Sequence, residues 1–182
     1  MDTQELKIPL DRVAVLIGKN GETKKKIEKR MRVELEIHSE EGDVYIHGED
    51  SVAVFDTINI VKAIGRGFNP DLAELLYDES YTLEFISISD FSGRSQKKLL
   101  RLRGRVIGQE GKARKMIESI TQTYISVYGK TIGIIGKIED VAVSRQALEM
   151  LLEGAPHGNV YKWLEDKNRE SIRRRFENRT LV

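Results

Sequence analysis

The chain has 182 residues, of which 40% are hydrophobic and 32% charged, and 30 basic against 29 acidic residues leave a formal net charge of +1. This composition is typical of a globular protein with one large domain or two small ones, and the apolar runs are far too short to cross a bilayer. The absence of cysteine excludes disulfides, cysteine–zinc sites, iron–sulfur clusters and thiol nucleophiles. The small net charge argues against holding nucleic acid by bulk charge alone.

The start of the chain gives no sign of export. Residues 1–5 lack the basic segment followed by an apolar stretch that marks a secretory signal. We therefore expect a cytoplasmic protein that does not contact membranes.

An internal repeat organises the sequence. Residues 17–28 align with residues 107–118, so that Gly18 and Gly108 open two Gly-x-x-Gly segments that lie 90 residues apart. Both copies place isoleucine before the first glycine, basic residues three and four positions after the second glycine, and an Ile-Glu pair at the end. Such a repeat predicts two structural units of the same kind.

Each copy predicts the same order of elements, namely strand, helix, glycine loop, helix, strand, strand and helix. In the first copy the predicted strands and the last helix are residues 6–8, 33–38, 44–48 and Val52 to near Gly65. In the second copy they are residues 81–88, 124–128, 131–136 and Val141 to near Gly154. A glycine at both helix ends suits a C-cap.

Other segments have no counterpart in the repeat. Asn69-Pro70-Asp71 is a turn signal, and residues 71–77 are predicted to form a short linking helix. The second copy carries extra residues around 92–103, and a tail follows from Pro156. We therefore predict a first domain, a linker, a second domain and a helical tail over residues 1–68, 69–79, 80–155 and 156–182.

The two glycine loops are the best candidates for a binding site. Two glycines permit positive φ angles and leave no Cβ between the backbone and a sugar–phosphate chain. Amide groups at the start of the following helix then offer an anion site at the positive end of the helix dipole. The alternative is that both loops are plain helix–helix turns.

In this order of elements, Val15-Leu16-Ile17-Gly18-Lys19-Asn20-Gly21 and Val106-Ile107-Gly108-Gln109-Glu110-Gly111 resemble the two loops of tandem KH-domain proteins. The resemblance implies an α+β fold of two tandem type I KH domains (βααββα) with a C-terminal helical extension. A KH loop clamps about four nucleotides of single-stranded RNA, whose bases face an apolar platform.

The resemblance covers nearly the whole chain and points to the pre-ribosomal KH assembly factors of archaea and eukaryotes, the partner-of-Nob (Dim/Krr-like) family. It includes the segment from Gly154 to Tyr161 and the basic tail helix. It implies a non-catalytic protein without cofactors that binds single-stranded RNA in small-subunit ribosome biogenesis, at the 3′ region of the small-subunit rRNA. The implied protein partners are the α subunit of translation initiation factor two and a PIN-domain nuclease. Eukaryotic members carry a long N-terminal extension, so the archaeal type is the better comparison.

Basic residues concentrate beside the second loop. Between Arg94 and Lys115 nine basic residues stand against one acid, Glu110, whereas Glu22 and Glu28 dilute the basic cluster at the first loop. We expect the second unit to contribute more RNA affinity, although Glu110 places an anion in its loop. The predicted RNA-binding residues are Gly18, Lys19, Asn20, Gly21, Lys24, Lys25, Arg101, Arg103, Arg105, Gly108, Gln109, Glu110, Gly111, Lys112, Arg114 and Lys115.

Two sets of apolar residues have two possible roles each. One set supplies either the platform for the bases or the core: Leu35, Ile37, Ile125 and Val127. The other is a mainly apolar stripe on the tail helix, with members every four residues: Val160, Leu164, Asn168, Ile172 and Phe176. This stripe packs on its own domain, or it docks on a partner and leaves Arg169 and Arg173 to Arg175 for phosphates.

Other chemistry has weaker support. His38 and His47 are predicted to stand opposite each other if a turn over residues 40–43 closes a symmetric hairpin. Two histidines without a third ligand make a poor metal site, so we predict no bound metal. Two rivals to a biogenesis factor remain. One is a tandem KH regulator of messenger RNA, and the other is an RNA-processing nuclease that uses the acids Glu34, Glu36 and Asp43.

Overall fold

The structure, a computed structural model, describes residues 2–180, and side chains are described for residues 2–173. The chain divides into two compact units between Leu83 and Glu84. Each repeat forms a three-stranded sheet with helices in the predicted order. The predicted α+β fold with two βααββα units is therefore confirmed.

The first unit follows the predicted order of elements. They are β1 (Asp2–Lys7), α1 (Leu10–Ile17), a 3-10 turn (Lys19–Gly21), α2 (Glu22–Met31), β2 (Val33–His38), β3 (Asp43–Gly48) and α3 (Ser51–Gly65). The strands pair antiparallel in the order β1-β3-β2. Strand β1 begins at Asp2, earlier than the predicted start at Leu6, because its pairing with β3 covers its whole length.

The core of the first unit lies between one face of its sheet and helices α1 to α3. Leu35 and Ile46 are partners on β2 and β3 and are fully buried, while Glu34 and Glu36 alternate with Leu35 and are exposed. The helices add buried side chains of similar size: Leu16, Ile27, Ile60 and Ile64. The two-residue period of the strand thus separates a core face from a polar face.

The segment after α3 packs against the same unit. The predicted helix over residues 71–77 is split into α4 (Pro70–Ala73) and a 3-10 turn (Glu74–Tyr77). Helix α2 contacts this segment through an ion pair of 2.7 Å between Lys26 Nζ and Glu74 Oε1. The hydrogen bond to Glu74 raises the pKa of Lys26.

The second unit repeats the pattern with additions. Its elements are β4 (Tyr81–Ser87), α5 (Ser89–Ser92), α6 (Gln96–Ile107), a 3-10 turn (Gln109–Gly111), α7 (Lys112–Thr121), β5 (Tyr124–Tyr128), β6 (Thr131–Lys137), α8 (Ile138–Glu153) and α9 (His157–Thr180). The sheet order is β4-β6-β5. The extra residues of this copy form α5 and lengthen α6. Helix α8 begins three residues before the predicted Val141, since Glu139 and Asp140 suit a first helical turn.

The tail helix α9 packs on its own unit over its first half. It contacts α7 and α8, and Val160 and Leu164 are fully buried in the core of the second unit. Further along, Ile172 is 45% exposed. The side chains of Phe176, Arg174 and Arg175 lie outside the described residues.

Candidate nucleic-acid interface

The two glycine loops have the same backbone conformation. In the first loop Gly18, Asn20 and Gly21 have φ angles of 74°, 54° and 75°. In the second loop Gly108, Glu110 and Gly111 have φ angles of 73°, 54° and 76°. The sequence repeat is therefore a structural repeat, with three positive φ angles in each short turn.

Close packing explains why the first position of each loop is glycine. A Cβ at Gly18 would lie 2.7 Å from the backbone nitrogen of Thr23, and one at Gly108 would lie 2.7 Å from that of Ala113. Any side chain there would collide with the backbone of the following helix. A Cβ at the second glycine of each loop would make only an ordinary van der Waals contact with a lysine side chain, so glycine is favoured there by its positive φ.

The helix after each loop begins with amides that no side chain caps. The N-caps of α2 and α7 are Gly21 and Gly111, and neither end has a side-chain cap hydrogen bond. The Glu22 and Lys112 amides donate to the Lys19 and Gln109 oxygens of the loops, and the helix dipole favours an anion at these helix ends. An acid lies at each site: Glu22 in the first turn of α2, and Glu110 in the second loop next to Lys112.

The lysines beside the first loop differ in their availability. Lys19 and Lys25 are exposed, and Lys25 Nζ lies 3.5 Å from the backbone oxygen of Asn20. Lys24 Nζ lies 3.7 Å from Glu28 Oε1 and is partly neutralised by it. Lys19 and Lys25 are therefore the better candidates for a phosphate held at this loop.

The basic residues beside the second loop show a similar division. Arg114 donates from Nη1 to the backbone oxygen of Ile125 at 3.0 Å, while Lys115 is exposed. Lys112 Nζ lies 3.9 Å from Glu110 Oε2, and both side chains are about three-quarters exposed, at 74% and 76%. An exposed pair of this kind is weak, so Lys112 stays available to a stronger anion.

The three arginines predicted on α6 have different surroundings. Arg101 is exposed. Arg105 is half-buried and donates from Nε to the Leu151 oxygen at 3.0 Å and from Nη2 to the Ala155 oxygen at 2.6 Å, which fixes the end of α8. Arg103 is half-buried, and its buried Nε has no hydrogen-bond partner among the described residues. The guanidinium of Arg105 is thus occupied, and the candidates for RNA on this helix narrow to Arg101 and Arg103.

An exposed apolar stripe runs along the helix before each loop. Leu10 and Leu100 occupy the same position, eight residues before the first glycine, and are 58% and 62% exposed. Small exposed residues, Ala14 and Gly104, follow one turn later, and a half-buried isoleucine precedes each loop. The sequence analysis missed this stripe, although extending the repeat back to Leu10 and Leu100 would have found it.

The strand residues proposed for the platform divide into two classes. Leu35 and Ile125 are 0% and 2% exposed and belong to the core. Ile37 and Val127 are partly exposed, and they lie on β2 and β5, the edge strands of the two sheets. An edge strand has backbone groups without a strand partner, so these two residues can face a ligand.

The Ile-Glu pair of each repeat joins the helix after the loop to the edge strand. Glu28 Oε1 accepts a hydrogen bond from the Leu35 amide at 2.9 Å, and Glu118 Oε1 accepts one from the Ile125 amide at 2.7 Å. Both contacts hold the edge strand at a fixed distance from the loop helix. Loop, apolar stripe and edge strand therefore form one arrangement in each unit.

Known proteins share this arrangement. A family profile described as "Eukaryotic type KH-domain (KH-domain type I)" matches residues 82–169, and a profile described as "KH domain" matches residues 3–62. The KH domain-containing protein MJ0443 of Methanocaldococcus jannaschii is 50% identical over 94% of this chain and 77% of its own length. The chain belongs to the tandem KH-domain family.

Solved structures and a fungal relative give further detail. The crystal structure of Dim2p from Pyrococcus horikoshii is 45% identical with a TM-score of 0.85, over 91% of this chain and 99% of that one. The matching chain of a complex described as a/eIF2alpha-aDim2p-rRNA, from the same organism, is 44% identical with a TM-score of 0.87. The match covers 93% of this chain and 95% of that one. Pre-rRNA-processing protein PNO1 of Candida glabrata is 31% identical over 73% of this chain, which spans 49% of that relative.

The histidines of the first KH domain are not opposite one another. The pairing of β2 with β3 begins at His38 and Asp43, so His47 lies opposite Glu34 instead. The predicted pairing was wrong, since a symmetric turn over residues 40–43 would itself pair His38 with Tyr45, and the observed turn over residues 39–42 pairs it with Asp43. Glu36 lies between the two rings, with Oε1 at 2.8 Å from His38 Nε2 and Oε2 at 3.6 Å from His47 Nε2. The hydrogen bond between Glu36 and His38 lowers the pKa of Glu36 and raises the pKa of His38.

The acids considered for a nuclease lie on the polar face of the first KH sheet. Glu36 is paired with the histidines, and Asp43 Oδ1 lies 3.1 Å from Lys7 Nζ. Within the described part of the chain, no group of three metal-ligating side chains is found. In the same residues, no helix is long and apolar enough to cross a membrane.

Proposed function

We propose that this protein binds single-stranded RNA with both KH domains and acts at the 3′ region of the small-subunit rRNA during its maturation. The observation that carries the proposal is the closely similar backbone of the two loops, each followed by a helix whose N-terminus has no side-chain cap. Such a loop lets a sugar–phosphate chain approach the backbone closely.

In each domain the bases leave the clamped backbone towards the apolar stripe. The exposed leucine, the small residue one turn later and the edge strand with Ile37 or Val127 supply the platform. Unstacked bases are needed to reach such a surface, so a single strand binds better than a duplex. With about four nucleotides per domain, an RNA of roughly eight to twelve nucleotides engages both.

The charged contacts of the proposal follow the availability of each side chain. The backbone of Gly18 to Gly21 and of Gly108 to Gly111 holds phosphates, and Lys19, Lys25 and Lys115 add charge. Lys112, in a weak exposed pair with Glu110, adds charge as well, whereas Lys24 and Arg114 contribute less because protein groups already contact them. Arg105 is left out of the contact surface for the same reason.

The biological role rests on the relatives. One is named as a pre-rRNA-processing protein, and the Pyrococcus complex contains Dim2p together with rRNA and a/eIF2alpha. We therefore propose the small-subunit rRNA and the α subunit of translation initiation factor two as partners, together with a PIN-domain nuclease that carries out the cleavage. The proposed location is the cytoplasm, the compartment of translation.

Charge reversal in the loops tests the RNA site. The double substitution Lys19→Asp with Asn20→Asp removes a positive charge and adds two carboxylates where the phosphates are held. In the second loop, Gln109→Asp with Glu110→Asp adds one carboxylate beside the one that Glu110 already supplies. All four side chains are exposed, so the fold is unaffected. We expect each double variant to bind single-stranded RNA more weakly than the parent, and the combined variant most weakly of all.

A matched control reverses charge elsewhere. Lys62→Asp with Lys137→Asp alters two exposed lysines, one on α3 and one at the end of β6, and changes the net charge by as much as the combined loop variant does. It should bind RNA nearly as tightly as the parent. Parental affinity in all three loop variants, or an equal loss in the control, would show that the loops are not the site. Crosslinking in cells then tests the rRNA assignment, since recovery of mainly messenger RNA contradicts it.

A further inference from the structure

The helices before the two loops differ at one pair of positions. In α1 the pair is Arg12-Val13, and in α6 the corresponding pair is Leu102-Arg103. Val13 is 4% exposed and Leu102 is 3% exposed, so each helix uses one residue of the pair for its core. The arginine therefore lies on a different side of the helix in the second domain.

Two arginines perform the same structural task in the two domains. Arg12 donates to the backbone oxygens of Ile64, near the end of α3, and Phe68, which follows α3, at 2.8 Å and 2.7 Å. In the second domain Arg105 donates to the corresponding region, namely to Leu151 near the end of α8 and to Ala155 after it. Arg103 is thus an additional arginine, with no hydrogen-bond partner among the described residues.

The surroundings of Arg103 place it at the foot of the apolar stripe. It lies four residues from buried Leu99 and four from Ile107, and helical side chains lean over the preceding turn, here towards Leu100. Its Nε is buried and makes no hydrogen bond to any described residue. The other guanidinium nitrogens, Nη1 and Nη2, make no hydrogen bond to a described residue and belong to a half-buried side chain, so they are the donors that an acceptor from outside the chain can reach.

We propose that Arg103 is a specificity-determining residue of the second KH domain, which reads a base with two neighbouring acceptors. The inference rests on the proposed function, because the stripe has to carry a base for Arg103 to read. The guanidinium presents parallel N–H donors in a fixed plane. Guanine offers O6 and N7, and cytosine offers O2 and N3. Adenine and uracil place a donor beside each such acceptor.

The first domain lacks this discrimination because Val13 occupies the equivalent position and has no polar group. The test therefore uses the full chain with the first loop disabled by Lys19→Asp and Asn20→Asp. The probes are oligouridylates of about ten nucleotides, each with one adenosine, guanosine or cytidine near the centre. Binding is measured for all probes and for unsubstituted oligouridylate.

The variant Arg103→Val introduces the residue found in the first domain. Before substitution, guanosine or cytidine should improve affinity by at least about fivefold over adenosine and uridine. In Arg103→Val this preference should fall within about twofold, because the affinity for the guanosine and cytidine probes falls more than the affinity for oligouridylate. Arg101→Val, an exposed neighbour, should weaken all probes equally. Thermal unfolding of Arg103→Val should occur at the parental temperature or above, since no protein hydrogen bond is lost.

Each contrary result overturns the inference. An equal loss for all probes in Arg103→Val would make the residue a phosphate contact, and a lowered unfolding temperature would make it a structural one. Retained preference in Arg103→Val would assign the reading to another side chain. Failure of the proposed function has a different signature, namely RNA binding that does not respond to the loop substitutions at all.

Discussion

Gly104 offers a test that separates the stability of the second KH domain from its RNA contact. It is an exposed glycine in the interior of α6, and a Cβ there would have no heavy atom within 4 Å. Glycine in a helix is about 1 kcal/mol less favourable than alanine, and Ala14 stands at the equivalent position in the first domain. Gly104→Ala should therefore stabilise the domain by about 1 kcal/mol, which raises its melting temperature by roughly 4–8 °C.

Gly104→Leu uses the same open space but covers the stripe. The helix should again be stabilised, because leucine is also a good helix former. A base that stacks on the stripe would meet the new side chain. Loss of one stacked base costs about 1–3 kcal/mol, so RNA affinity should fall roughly 5- to 150-fold while Gly104→Ala stays near the parent.

Urea unfolding and RNA titration of both variants measure the two effects. Gly158 in the first turn of α9 also has open space around it, so Gly158→Leu is a control for added apolar surface. It should leave RNA affinity unchanged. If Gly104→Leu binds RNA as tightly as the parent, bases do not stack on the apolar stripe of α6. If Gly104→Ala is clearly destabilised, the space around Gly104 is not open.

Three further outcomes are expected. Leu164→Ala should destabilise the second unit by about 2–5 kcal/mol in urea unfolding, because the Leu164 side chain is fully buried. Lys162→Ala, at an exposed position of the same helix, should change stability by less than about 0.5 kcal/mol. Equal effects of the two substitutions would show that α9 is not part of the core. NMR titration should give His38 a pKa above its ordinary value, and Glu36→Gln should lower it. Since the pKa of His38 is raised in the folded state, its interaction with Glu36 stabilises the fold below the ordinary histidine pKa. This stabilisation is lost as the pH rises through the raised pKa. An unshifted pKa of His38 would contradict the pairing. Glu110→Lys should tighten RNA binding, most at low salt, and no gain would mean that the second loop does not approach a phosphate.

Features that depend on local chemistry could be predicted from the sequence. The repeat around Gly18 and Gly108 indicated two equal units, and both loops have the positive φ angles that glycine permits. Strands β2 and β5 have the predicted bounds, since their alternating pattern and flanking turns are local signals. The burial of Leu35 against the exposure of its neighbours on β2 follows from the same alternation.

Tertiary structure decided what depends on distant partners. Strand β1 is longer than its own sequence indicated because β3 pairs along its whole length, and the register of β2 against β3 places Glu34 opposite His47. Likewise, charge alone made Arg103 and Arg105 equivalent. Only the fold brings the backbone oxygens of Leu151 and Ala155 to Arg105, while Arg103 has no hydrogen-bond acceptor among the described residues. Composition and spacing determine which groups a chain carries, but hydrogen bonds have a reach of about 3 Å, so the fold determines which of those groups are free to bind.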